Sequence, residues 1–107
     1  MYKINGTNIK LVRGDSFYCE VTMKEGTETY TPQQGDVVRF ALKKDYYDDE
    51  ALIEKTIPNA TLMLHLEPDD TKELDYSRYV YDIELTKANG DVDTFISGNF
   101  ELLPEVE

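Results

Sequence analysis

The chain has 107 residues, with 22 Asp or Glu against 11 Lys or Arg, for a net charge of -11. That balance excludes a nucleic-acid surface, which needs clustered Lys and Arg to neutralise phosphates, and disfavours docking on an anionic membrane. At 40% hydrophobic and 31% charged the composition is globular, and a chain this long forms one domain, 1-107, that buries roughly 60–70% of its unfolded surface.

Met1-Tyr2-Lys3-Ile4-Asn5-Gly6 carries no apolar run behind its charge, so no signal peptide is expected. Cys19 is the sole cysteine, which excludes an internal disulfide and fits synthesis in a reducing cytoplasm. Asn5-Gly6 is a favoured hairpin turn, because both residues tolerate positive φ. A first strand with Ile9 and Leu11 stops at Gly14-Asp15. Ser16 to Met23 alternates cleanly, with Phe17, Cys19, Val21 and Met23 on its apolar face. Lys24-Glu25-Gly26 turns the chain into the polar, β-branched run Thr27 to Thr31, expected at a sheet edge and ended by Pro32 and Gly35.

Val37 to Lys43 is the next strand, with Val38, Phe40 and Leu42 on one side. Lys44 to Glu50 is an acidic loop. Ala51 to Ile57 and Leu62 to Leu66 are further strands, separated by Pro58-Asn59. Pro68 to Leu74 has the form of one helical turn, with Asp70 and Glu73 spaced as a capping box.

The strongest signal is Asp75 to Leu85. Tyr79, Tyr81, Ile83 and Leu85 alternate with Val80, Asp82 and Glu84, the period of a half-buried strand. Asp75 four residues before Tyr79 matches the tyrosine corner of immunoglobulin-like sandwiches, in which the phenol ties the strand to backbone upstream; Tyr81 completes this corner set. Ala88 to Asp91 makes a hairpin turn. Val92, Thr94 and Ile96 follow, and Ser97-Gly98-Asn99 suggests a bulge or bend before Phe100 and Leu102. The fold expected is all-β: an antiparallel immunoglobulin-like β-sandwich of about seven to nine strands with one short helical turn. The expected core is Phe17, Cys19, Val21, Val38, Phe40, Leu42, Ile53, Leu62, Leu64, Leu66, Tyr79, Tyr81, Ile83, Ile96 and Phe100.

Signals for chemistry are few. A nucleophilic Cys19 would need a base, and His65 is the only histidine. The alternation of His65 with Leu64 and Leu66 sets it on the outer side of its strand. No Ser/His/Asp set, Gly-rich phosphate loop or metal-ligand His/Cys spacing occurs, so neither enzymatic activity nor a cofactor is expected. Asp45, Asp48, Asp49 and Glu50, and again Glu67, Asp69 and Asp70, crowd acidic loops. Solvation explains such clusters, and weak calcium binding is the rival. Arg13-Gly14-Asp15 has the form of an integrin-recognition tripeptide, but Gly14 is accounted for by the turn. Tyr30, Tyr46, Tyr47 and Tyr76 are candidate interface residues, since tyrosine is enriched at protein interfaces and can stack on sugars.

The segments Leu11 to Phe17, Gly35 to Lys44, Leu52 to Pro58, Asp70 to Ile83 and Gly90 to Ile96 resemble small prophage and phage proteins of Gram-positive bacteria. The Tyr-x-Tyr-Asp strand, Gly hairpin and Gly-x-Phe strand are similar to the N-terminal domain of phage baseplate upper proteins. The resemblance implies a non-enzymatic virion structural or accessory protein of the tail, baseplate or head. Its partners would be virion proteins or further copies of the chain, with no nucleic acid and no membrane. Docking would use strand edges and tyrosine-rich faces, with Thr27 to Thr31 as the edge of interest. The chain departs from baseplate proteins in length, since those carry further helical and receptor-linked segments. The rival function is a glycan-binding or calcium-assisted adhesion module.

Overall fold

A computed structural model describes residues 2–5, 7–25, 27–75 and 77–104. Gly6 and Gly26 of two expected turns, Tyr76 of the candidate interface and the 105–107 tail lie outside the described residues. The chain is all-β. Among the described residues there are ten strands and one four-residue helical turn. The strands are β1 (Tyr2–Asn5), β2 (Asn8–Val12), β3 (Phe17–Glu20), β4 (Met23–Glu25) and β5 (Glu28–Tyr30). They continue with β6 (Val37–Lys43), β7 (Ile53–Ile57), β8 (Met63–Leu66), β9 (Arg78–Thr86) and β10 (Val92–Leu103), and α1 (Pro68–Thr71) lies between β8 and β9.

Six strands form one sheet in the order β1-β2-β10-β9-β6-β7; β3 pairs with β8, and β4 with β5. All pairs are antiparallel except β2 with β10, where Ile9 lies opposite Phe100 and Leu11 opposite Leu102. The alternating apolar residues of β9 and β6 face the core, and those of β3 and β8 meet them from the smaller sheet. Phe17 packs edge-on against Phe100, with centroids 6.3 Å apart. Phe40 and Tyr81 (5.7 Å), and Tyr81 and Phe100 (6.3 Å, 82°), continue the ring cluster. Such pairs contribute about 0.5–1.5 kcal/mol beyond the burial of their area.

Twelve of the expected core residues are buried; Cys19, Leu62 and Ile96 only partly so. Ile9, Leu11, Met23, Ile57, Leu85 and Leu102 join the core.

Four local expectations are corrected. The segment Ser16 to Met23 is not one strand: it divides at Val21-Thr22, because β3 pairs with β8 whereas Met23 lies opposite Tyr30 in the β4–β5 hairpin. The strand expected from Leu62 begins at Met63, because Leu62 is left-handed at φ 51°. The helical turn is capped one turn earlier than the Asp70 and Glu73 spacing suggested. Pro68 occupies the first turn, Glu67 is the N-cap, and the Asp70 carboxylate accepts from the Glu67 N–H at 2.7 Å.

The fourth correction concerns β10. Its register with β9 shifts between Thr94 and Ile96, not at Ser97-Gly98-Asn99. Gly98 sits in regular pairing opposite Tyr81, and a close approach is what requires glycine there: a Cβ would lie 2.2 Å from the Thr7 carbonyl oxygen.

Candidate functional site

The corner before β9 is built from backbone upward. The Tyr79 hydroxyl donates to the Asp75 carbonyl at 2.8 Å, and the Leu102 N–H donates to the Ser77 carbonyl at 2.9 Å. Lys44 reaches over from the β6–β7 loop, donating to the Ser77 hydroxyl at 2.5 Å with its ammonium 5.0 Å from the Tyr79 ring centroid. Burial, reinforced by the Asp75 charge, raises the Tyr79 phenol above its ordinary pKa. Tyr81 points deeper, and its hydroxyl donates to the Thr7 carbonyl at 2.6 Å. Burial is the main cause that pushes its pKa up to about 12.

The Tyr46-Tyr47 loop projects beside this corner. Asp45 organises it: its side chain accepts the Tyr47 N–H at 3.1 Å, and its carbonyl accepts the Asp48 N–H at 3.1 Å. The Tyr46 hydroxyl donates to the Gly98 carbonyl at 3.3 Å, which anchors a ring still 53% exposed. Tyr47 makes no side-chain hydrogen bond among the described residues and is 93% exposed.

Tyr30 is separate from this group. It is half-buried and donates to the Asp36 carboxylate, which also accepts the Gln33 N–H (2.9 Å) and the Ala88 N–H (3.2 Å). Those donors, the Tyr30 hydroxyl first, hold the Asp36 carboxyl below its ordinary value. Asp36 precedes β6 and the Tyr46-Tyr47 loop follows it. Seven strand residues therefore separate Tyr30 from Tyr46, about 20 Å along the sheet. Tyr30 thus does not share a surface with the Tyr46-Tyr47 loop.

Cys19 and His65 lie on opposite sides of the β3–β8 pair. Tyr18 is opposite His65 and stacks on it at 4.2 Å, whereas Cys19 is opposite Leu64 on the core side. A Cys19–His65 dyad is therefore geometrically closed. The Cys19 thiol is pushed up by burial and then by the neighbouring Glu20 charge, the opposite of activation. Arg13 and Gly14 are tied into the fold. The Arg13 guanidinium donates to the Leu74 carbonyl (3.1 Å) and the Gly14 N–H to the buried Thr71 hydroxyl (3.0 Å). The acidic loops bring together no group of three or more His, Cys, Asp or Glu placed to hold a metal ion among the described residues. No helix among them is long and apolar enough to cross a membrane.

Two concavities were not visible in the sequence. On the outer side of β6, a charged hollow of about 160 Å³ forms over Ala41 and Ala51, ringed by Arg39, Glu54, Asp82 and Glu84. An apolar cleft of about 250 Å³ opens between β3 and the large sheet, with Cys19, Val21, Ile83 and Tyr81 in its walls. Each is assembled from strands distant in the chain, so neither leaves a local motif.

Comparison of the chain with protein-family models, with curated proteins and with solved structures finds no match.

Proposed function

We propose that this chain is a non-enzymatic structural or accessory component of a phage or prophage particle, an immunoglobulin-like β-sandwich acting through protein–protein contacts. Four features support the sandwich reading. The parallel β2 strand lies beside β10, the order continues through β9, β6 and β7, and the opposing β3–β8 pair packs Phe17 on Phe100. The Tyr79-to-Asp75 hydrogen bond has the form of a tyrosine corner.

The observation that carries the functional reading is Tyr47. A large ring held 93% in solvent on a hydrogen-bonded turn buries almost none of its area in the fold, and such a ring suits a contact with another molecule. The half-exposed Tyr46 beside it extends the same patch. Mass spectrometry of purified particles from a host strain carrying the gene tests the proposal. The chain is expected in stoichiometric amount with the other virion proteins, and the Tyr47→Ser variant, folded but not incorporated, is expected to be missing. Particles that assemble and infect without the chain, and never contain it, would overturn it.

The same exposed ring favours one rival, stacking on a host glycan. Glycan-array binding lost on Tyr47→Ser, with the chain absent from particles, would establish that alternative.

A further inference from the structure

We infer that the free edge of β3, together with the apolar cleft beneath it, is a receptor for an extended, basic–apolar strand of a partner protein. The proposal is independent of the virion reading, since it concerns neither the Tyr46-Tyr47 loop nor the Thr27 to Thr31 edge.

Among the described residues the β3–β8 sheet has two strands, and β3 has a neighbour on one side alone. Its hydrogen-bond phase follows from the ladder. Val21 N–H donates to the Leu62 carbonyl at 2.7 Å, and Cys19 and Phe17 lie opposite Leu64 and Leu66. Alternate residues of an antiparallel strand turn their N–H and C=O toward the partner. Phe17, Cys19 and Val21 therefore face β8, and the main-chain groups of Tyr18 and Glu20 face outward. Those groups have no main-chain partner among the described residues.

The cleft opens along this edge. Its walls include Ile9, Cys19, Val21, Tyr81, Ile83 and Ile96. At about 250 Å³ it exceeds the ~150 Å³ cavity that accepts benzene, so it has room for an aliphatic side chain. A small apolar molecule would fill the cleft and leave the strand edge unused. An extended backbone satisfies both, pairing with Tyr18 and Glu20 while one alternate side chain enters the cleft.

Charge decides the partner's identity. Glu20 is the one charged residue among the described residues lining the cleft, and the whole chain carries -11. A second copy would bring like charge against like charge, whereas a strand bearing Lys or Arg on its solvent side is attracted.

Titration of the isotopically labelled protein with the hexapeptide KVKVKV, and in parallel with EVEVEV, tests this. The basic peptide is expected to slow amide exchange at Tyr18 and Glu20 at least tenfold and to shift the methyl signals of Ile9, Val21, Ile83 and Ile96. Its binding should weaken with salt, and EVEVEV should not bind. Glu20→Pro is expected to lower affinity at least tenfold while the protein stays folded, because the N–H it removes lies outside the β3–β8 ladder. Thr22→Pro, further along the same edge, replaces it if Glu20→Pro melts. Glu20→Ala, which keeps the N–H, should weaken binding less. No protection at millimolar KVKVKV, or unchanged affinity in both proline variants, would overturn the inference. So would protection of Tyr18 that grows with protein concentration alone, which would identify the occupant as a second copy.

Discussion

The Tyr81 hydroxyl and the Thr7 carbonyl, 74 residues apart in the chain, meet at 2.6 Å. This contact joins the middle of β9 to the end of the β1–β2 hairpin, passing over β10 where Gly98 leaves room. Removing only the hydroxyl, in Tyr81→Phe, should cost about 0.5–1.5 kcal/mol. Tyr81→Ala should cost about 3–5 kcal/mol, since it also empties the space between Phe40 and Phe100. Urea unfolding of the two variants separates the hydrogen bond from the ring.

The same phenol makes stability fall in alkali. Its pKa in the fold is about 12, against an ordinary 10.0. A group raised in this way binds its proton more tightly when folded. Its contribution is therefore complete below pH 10 and is lost as pH rises from 10 through 12. Tyr79 shifts in the same direction. Chemical denaturation between pH 9 and 12 should show a declining stability whose slope is shallower in Tyr81→Phe.

Asp36 produces the opposite dependence at low pH. Its carboxyl is held below 3.8 by the Tyr30 hydroxyl and by the N–H groups of Gln33 and Ala88. A depressed carboxyl contributes stability above its unfolded pKa and loses it as pH falls through its lower folded value. Asp36→Asn should lower the melting temperature at pH 7 and flatten the acid limb below pH 4. Melting curves from pH 2 to 7 measure both effects.

Gly98→Ala should destabilise the fold by about 1–3 kcal/mol, because the new methyl meets main chain at Thr7 and no flexible side chain can yield. Gly90 offers a contrast. It has open space around it, but its φ of +97° strains any other residue. Moving the β1–β2 hairpin to relieve Gly98→Ala should shift the amide signals of residues 8 to 11 by NMR, whereas Gly90→Ala should disturb only its own turn.

Cys19 should alkylate slowly. Its thiol is half-buried, and burial with the Glu20 charge disfavours the reactive thiolate. Iodoacetamide labelling at pH 7.5 followed by mass spectrometry should run at least tenfold slower in native protein than in urea.

Period-two alternation was the legible part of this chain. It placed β6 at Val37 to Lys43 to the residue and put Tyr79, Tyr81 and Ile83 in the core, because both faces of those strands have distinct environments. It failed where long-range geometry decides. Gly98 looked like a bulge, but its role is set by Thr7, over 90 residues away in the chain; the true shift falls at Phe95, which has no turn residue to announce it. The Tyr18–His65 stack and the edge of β3 depend on which strand pairs with which, and local pattern does not state that. The acidic loop by itself marks Tyr46 and Tyr47 as candidates, whereas the bond that ties Tyr30 to Asp36 leaves no local pattern.

The parallel seam between β2 and β10 has a consequence for biosynthesis. Ile9 and Leu11 leave the ribosome 91 residues ahead of their neighbours Phe100 and Leu102. Until then β2 has only its own hairpin to lean on, so this seam closes only once the intervening chain has been made. Closure across so much intervening chain is slow, so the β10-facing side of β2 waits longest for its partner.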